Sequence, residues 1–165
     1  MSNVKLLSFK HFDDNVKLKI DNILSNIVII LFKIKNDLDC VNLTKIFKTV
    51  LVDNFKLYFF NLDDINERTL IINLFKKNNI YISNTPFLIV YIKNKPFIPD
   101  INLYKDITNP NIFIDKISFF INSKLNEIND HKENDNNNNN KNVVYKKHIN
   151  PYNKPWSYLE KKIDD

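Results

Sequence analysis

Ile27-Val28-Ile29-Ile30-Leu31-Phe32-Lys33-Ile34, followed by Lys35-Asn36 and then Asp37-Leu38-Asp39-Cys40, is the stretch on which the fold turns. Its first part is nearly all apolar and largely β-branched, without the alternation of a strand that has one wet face. It therefore predicts a central strand covered on both sides. Beyond the polar break, Leu43, Ile46, Phe47, Val50 and Leu51 recur at i, i+3, i+4, i+7 and i+8, which predicts an amphipathic helix directly after the strand.

Working outward, the same alternation of periods continues. Phe55 to Asn61 reads as a strand ending at Asp63-Asp64. Leu70, Ile71, Leu74 and Phe75 predict a helix closed near Asn78 and Asn79, with Asn in place of the usual glycine stop. Phe87 to Ile92 is a further buried strand. Lys93-Asn94-Lys95 then predicts a compact turn into an edge segment around Phe97 and Ile98, between Pro96 and Pro99. Asn109-Pro110 has the form of a helix start, a capping residue followed by proline at the first helical position, and Ile114, Ile117, Ile121, Leu125 and Ile128 follow on one face. On the other side of the central stretch, Val4, Leu6 and Leu7 suggest a short first strand. Phe12, Val16, Ile20, Ile23 and Leu24 are spaced as in an amphipathic helix.

The expected order is β, α, β, α, β, α, β, β, α, in which helical crossovers link parallel strands before an antiparallel hairpin and a closing helix. This order describes an α/β thioredoxin-like fold, a central mixed sheet flanked by helices, here with a C-terminal extension. Residues 1–128 form the expected domain. Residues 129–142, which include the five-Asn run Asn136 to Asn140, have nothing to bury and read as a disordered linker. Residues 143–165 regain apolar content and read as a tail able to dock, with Pro151, Tyr152, Pro155, Trp156 and Tyr158 as anchors. Lys141, Lys146, Lys147, His148 and Lys154 lie among them, so RNA contact is the alternative reading of the tail.

Composition narrows the chemistry. At 165 residues the chain holds one domain with a real core plus an appendage. Glycine and alanine are absent, while Asn, Ile, Lys and Phe abound, the signature of an AT-rich coding sequence, so a net charge of +5 is weak evidence for a nucleic-acid partner. Without glycine, phosphate-cradling loops and dinucleotide fingerprints are excluded. No apolar run is long enough to span a bilayer, and Met1 to Lys10 lacks the pattern of a signal peptide. Cys40 is the single cysteine, and His11, His131 and His148 are scattered, so neither an internal disulfide nor a structural zinc site is expected. These features point to a reducing compartment, the cytosol or nucleus, with no membrane association and no cofactor.

A redox-active thioredoxin carries Cys-x-x-Cys at the start of the helix after the central strand, where the helix terminus lowers the pKa of the attacking thiol and a second thiol resolves the mixed disulfide. Here Asp37 stands at the attacking position and Cys40 at the resolving one, so the dithiol reaction is excluded. The flanking carboxylates also raise the pKa of a nearby thiol. Leu31 occupies the place of a buried acid that assists proton transfer in active members. Thr85-Pro86 precedes a strand where this fold carries a cis-proline, and Pro86 is expected to be cis. Asp63-Asp64 reads as a turn or helix cap before it reads as an acid–base pair.

Asp37-Leu38-Asp39-Cys40 resembles the Asp-x-x-Cys of the Dim family of thioredoxin-like spliceosomal proteins. The resemblance extends over Ile27 to Phe32, over Leu57-Tyr58-Phe59-Phe60-Asn61-Leu62-Asp63, and over the Lys93-Asn94-Lys95 turn with Ile98 and Asp100. Phe113-Ile114-Asp115 and the tail from Ile149 through Pro151, Pro155, Tyr158 and Leu159 to Ile163 are similar to the Dim-like, thioredoxin-like 4B branch. The family's glycines are absent, Ser83-Asn84-Thr85-Pro86 departs from its proline loop, and the linker is longer. The resemblance implies a nuclear, non-enzymatic component of pre-mRNA splicing that binds proteins of the U5 snRNP or the U4/U6.U5 tri-snRNP. It further implies possible homodimers and a link to cell-cycle progression. A monothiol redox protein using Cys40 and a structural thioredoxin-like subunit of another assembly are the alternatives.

Overall fold

β-Branched and aromatic side chains give the central strand no favourable place except between two covered faces, and β2 (Ile27–Lys33) takes that place. Its residues Val28 to Phe32 are fully buried. The computed structural model describes residues 4–50 and 55–136. On one side β2 pairs in parallel with β3 (Phe55–Asn61), and on the other it pairs antiparallel with β4 (Phe87–Ile92). β1 (Lys5–Leu7) adds in parallel to β3, and β5 (Lys95–Phe97) adds antiparallel to β4. The sheet order β1-β3-β2-β4-β5, with three parallel strands followed by a hairpin and with helices on both faces, is a thioredoxin-like α/β architecture.

Alternation along β2 sends Val28, Ile30 and Phe32 to one face and Ile29 and Leu31 to the other. The first set joins Phe60, Ile89 and Tyr91 under Ile71, Leu74 and Phe75 of α2 (Ile65–Lys77). Phe75 meets Phe32 edge-on at 5.6 Å between ring centres. On the second face Phe47 of α1 (Leu38–Thr49) stacks on Phe59 of β3 and touches Phe113 of α3 (Pro110–Asn136).

The helix boundaries follow the cap chemistry read from the sequence. Asp64 caps α2 by accepting from the Asn66 and Glu67 N–H groups. Asn79 adopts the left-handed conformation after its end. Pro110 opens α3, with the Asn109 side chain accepting from the Asn111 N–H. Lys93 and Asn94 both have positive φ, the geometry of a two-residue hairpin whose twist matches that of the strands it joins.

The helix expected over Phe12 to Leu24 does not form. Asp13 intervenes, its carboxylate accepting from the Asn15 and Lys17 N–H groups, and this local bonding competes with a helical ladder. The chain folds back so that Phe12 pairs with Leu18, with single 3-10 turns at Phe9–His11 and Ile23–Ser25. Phe12, Val16 and Leu18 are buried and Ile20 and Ile23 pack against the same core, whereas Leu24 of the expected apolar face is exposed, so a doubled-back loop and not a helix covers the sheet. The observed order is β, β, α, β, α, β, β, α.

The chain divides into two units, Met1–Ile121 and Asn122–Asp165. Within the first, Phe113, Ile117 and Ile121 are the buried side chains of α3. Within the second, α3 continues to Asn136, so positions 129–136 of the stretch read as linker are helical. The tail anchors Pro151, Tyr152, Pro155, Trp156 and Tyr158, and the basic residues among them, lie outside the described residues.

Candidate functional site

The sheet's central strand delivers the chain to the start of α1, and Asp37 is held there in three ways. Its N–H donates to the Ile34 carbonyl at 3.3 Å. Its Oδ1 accepts from the Asp39 N–H at 3.0 Å and from the Cys40 N–H at 3.5 Å, capping α1. Its Oδ2 accepts from the Thr85 hydroxyl at 2.9 Å. One carboxylate thereby satisfies orphan helix donors and ties α1 to the loop before β4.

The Thr85–Pro86 peptide is cis. Beside it opens a cleft of about 190 Å³, to which Asp39, Leu43, Pro86, Ile101 and Tyr104 contribute. Leu38, between the cap and Cys40, is exposed. The Thr85-to-Asp37 bond and the Ile101–Tyr104 wall were not read from the sequence. The bonded pair is 48 positions apart, and only the Thr-Pro dipeptide signalled it.

Cys40 points the other way. It is 1 % exposed, and its Sγ accepts from the Ile34 N–H at 3.4 Å. Burial pushes the thiol pKa up, and the nearby Asp37 charge adds to the rise, while the Ile34 N–H pulls in the opposite direction. Burial is the largest cause, and of the two flanking carboxylates only Asp37 is among the causes of the rise. Leu31 is fully buried between the sheet and the α1 side, so no acid occupies that position. The thiol therefore has neither access nor a low pKa, and a leucine stands at the sheet position behind it.

The two adjacent acids each have a structural partner. Asp63 accepts from the Lys35 N–H at 3.0 Å, and Asp64 caps α2. His11 Nδ1 accepts from the Ser8 N–H. Among the described residues, no group of three or more His, Cys, Asp or Glu side chains is placed to hold a metal ion. No described helix is long and apolar enough to cross a membrane.

At this site the geometry brings together a hydrogen-bonded carboxylate, an exposed leucine, a cleft beside a cis-proline and a buried thiol. Compared with known proteins, the chain matches no family model and no curated sequence.

Proposed function

We propose that the protein is a redox-silent thioredoxin-like binding module of the pre-mRNA splicing machinery, recognising proteins of the U5 snRNP or tri-snRNP in the nucleus. The observation that carries the redox-silent part is the exchange of roles at the start of α1. Asp37 caps the helix where an attacking thiol would stand, and Cys40 is buried behind it. Thiol–disulfide exchange begins with a thiolate that a disulfide can reach, and the position open to solvent carries no sulfur. The same surface has a cleft beside the cis-proline, which supports a binding role for it. The splicing context is supported by the resemblance of Asp37-Leu38-Asp39-Cys40 and of the tail to the Dim family, closest to its Dim-like branch.

Affinity purification of the tagged full chain from its native cells tests this reading. U5 or tri-snRNP proteins are expected in the eluate at stoichiometric levels. A clean preparation that contains none overturns the splicing assignment. In parallel, the purified chain is expected to show no disulfide reductase activity, and activity that disappears in Cys40→Ser overturns the redox-silent reading.

A further inference from the structure

Lys33 ends β2 and is paired in register with Asn61, the last residue of the parallel strand β3. The two side chains therefore stand together at the carboxyl ends of adjacent parallel strands, the edge of an α/β sheet at which ligands are commonly held. An open cleft of about 500 Å³ lies there, lined by Lys33, Lys35, Lys45 and Lys48, with Asp63 the single carboxylate among its walls. One of the Asp63 oxygens already accepts from the Lys35 N–H.

Lys33 is the unusual member. It is half-buried, its Nζ lies 4.3 Å from the centre of the Phe59 ring, and Nζ donates to Thr44 Oγ1 at 3.4 Å. The Thr44 hydroxyl gives its own proton to the Cys40 carbonyl at 2.7 Å, which orients its lone pairs toward the ammonium. No salt bridge reaches Lys33 among the described residues. Burial and then the charge of Lys48 hold its pKa below the usual lysine range, against the smaller opposing effects of Cys40 and Asp63. A partly buried cation facing further cations, without an ion-paired carboxylate of its own, is an arrangement that an incoming dianion relieves.

We infer that this cleft binds a phosphate monoester dianion, the group carried by a phosphorylated serine or threonine of a partner protein. Four ammonium groups against one carboxylate match two negative charges better than the single charge of a phosphodiester. Stacking of nucleic-acid bases needs an open aromatic face, and Phe59 is buried beneath Lys33. The inference deepens the binding-module reading and rests on it for the source of the phosphate, whereas the anion chemistry stands on the cleft alone.

Titration of the full chain, followed by amide NMR shifts, tests it with inorganic phosphate, a short phosphoserine peptide, the same peptide unphosphorylated, and oligouridylate as probes. Saturable shifts at Lys33, Ile34, Lys35, Thr44 and Asn61 are expected for phosphate and the phosphopeptide, with dissociation constants on the order of 1 mM. Lys33→Met is expected to weaken both about tenfold. Lys45→Gln with Lys48→Gln, at exposed positions that leave the core untouched, is expected to do the same. Equal shifts from the unphosphorylated peptide, shifts scattered over lysines elsewhere, or tighter binding of oligouridylate through these amides each overturn the assignment. Failure here with snRNP proteins still co-purifying removes the phosphate site alone. Saturation here with no co-purified partner removes the splicing assignment alone.

Discussion

Asp37 and Cys40, three positions apart, have opposite fates because the first turn of a helix presents its cap to solvent and its next inward position to the core. Asp37 gains from its place: its carboxylate answers helix N–H groups and the Thr85 hydroxyl together. Asp37→Ala is expected to cost about 1–2 kcal/mol in urea unfolding. Asp37→Asn, which keeps an acceptor, is expected to cost less. Because the carboxylate and the hydroxyl share one bond, a double-mutant cycle with Thr85→Val is expected to show coupling of roughly 1 kcal/mol. Strict additivity would mean that the bond does not fasten the proline loop to α1. Cys40 is governed by access. Its alkylation by iodoacetamide in the native chain is expected to be slower than in urea by on the order of a hundredfold, since reaction must wait for local opening. Equal rates in the two conditions would place the thiol at the surface and reopen the monothiol reading.

Elements replace residues as the unit when the chain must turn without glycine. Val16, Asn22, Asn79, Lys93, Asn94 and Asp106 all take positive φ, and where Asn or Asp does so its short polar side chain keeps the penalty small. Asn94 shows the benefit, since its amide both accepts from the Leu18 N–H and donates to the Leu18 carbonyl, fastening the doubled-back loop to the β4–β5 hairpin. Lys93 has no such compensation. Lys93→Gly is therefore expected to raise stability by about 1 kcal/mol, read as a higher urea midpoint at unchanged slope. A fall would mean that the turn is held by something other than its backbone. The legible parts of the fold were those whose cause is local: the apolar run of β2, the helical periods of α1 and α2, the Asp64 cap and the Asn109-Pro110 start. The helix expected over Phe12 to Leu24 failed because apolar spacing does not report backbone, and Asp13 had local partners that a period count does not weigh; Leu24 of the expected face is exposed. At the site, the missing attacking thiol was legible from Asp37 alone. The Thr85 bond and the lysine cleft were not, because both depend on which distant segments the sheet brings together.

At the scale of the molecule, the buried ionisable groups set how the fold meets alkali. Burial raises the pKa of Cys40, Tyr58, Tyr91 and Tyr104, most strongly for Tyr91, which is fully buried and donates its hydroxyl to the Val16 carbonyl. Each of these groups holds its proton in the folded chain at a pH where the unfolded chain has released it. Their contribution to stability is thus fully present below the ordinary values, 9.0 for the thiol and 10.0 for the tyrosines, and is lost as pH rises beyond them. Lys33 has the opposite sign, because its lowered pKa lets the folded chain shed a proton first, so stability gains as pH rises toward 10.5. Among the described residues four groups oppose one, and the most deeply buried is among the four. The urea midpoint is therefore expected to fall steadily between pH 9 and pH 11. In Tyr91→Phe the fall is expected to be shallower, although the variant starts lower at neutral pH because the Val16 carbonyl loses its donor. Lys33→Met is expected to steepen the fall, since it removes an opposing contribution. A midpoint that is flat or rising over this range in the parent chain would show that Tyr91 ionises as readily folded as unfolded, and with it that the doubled-back loop does not seal this face of the sheet.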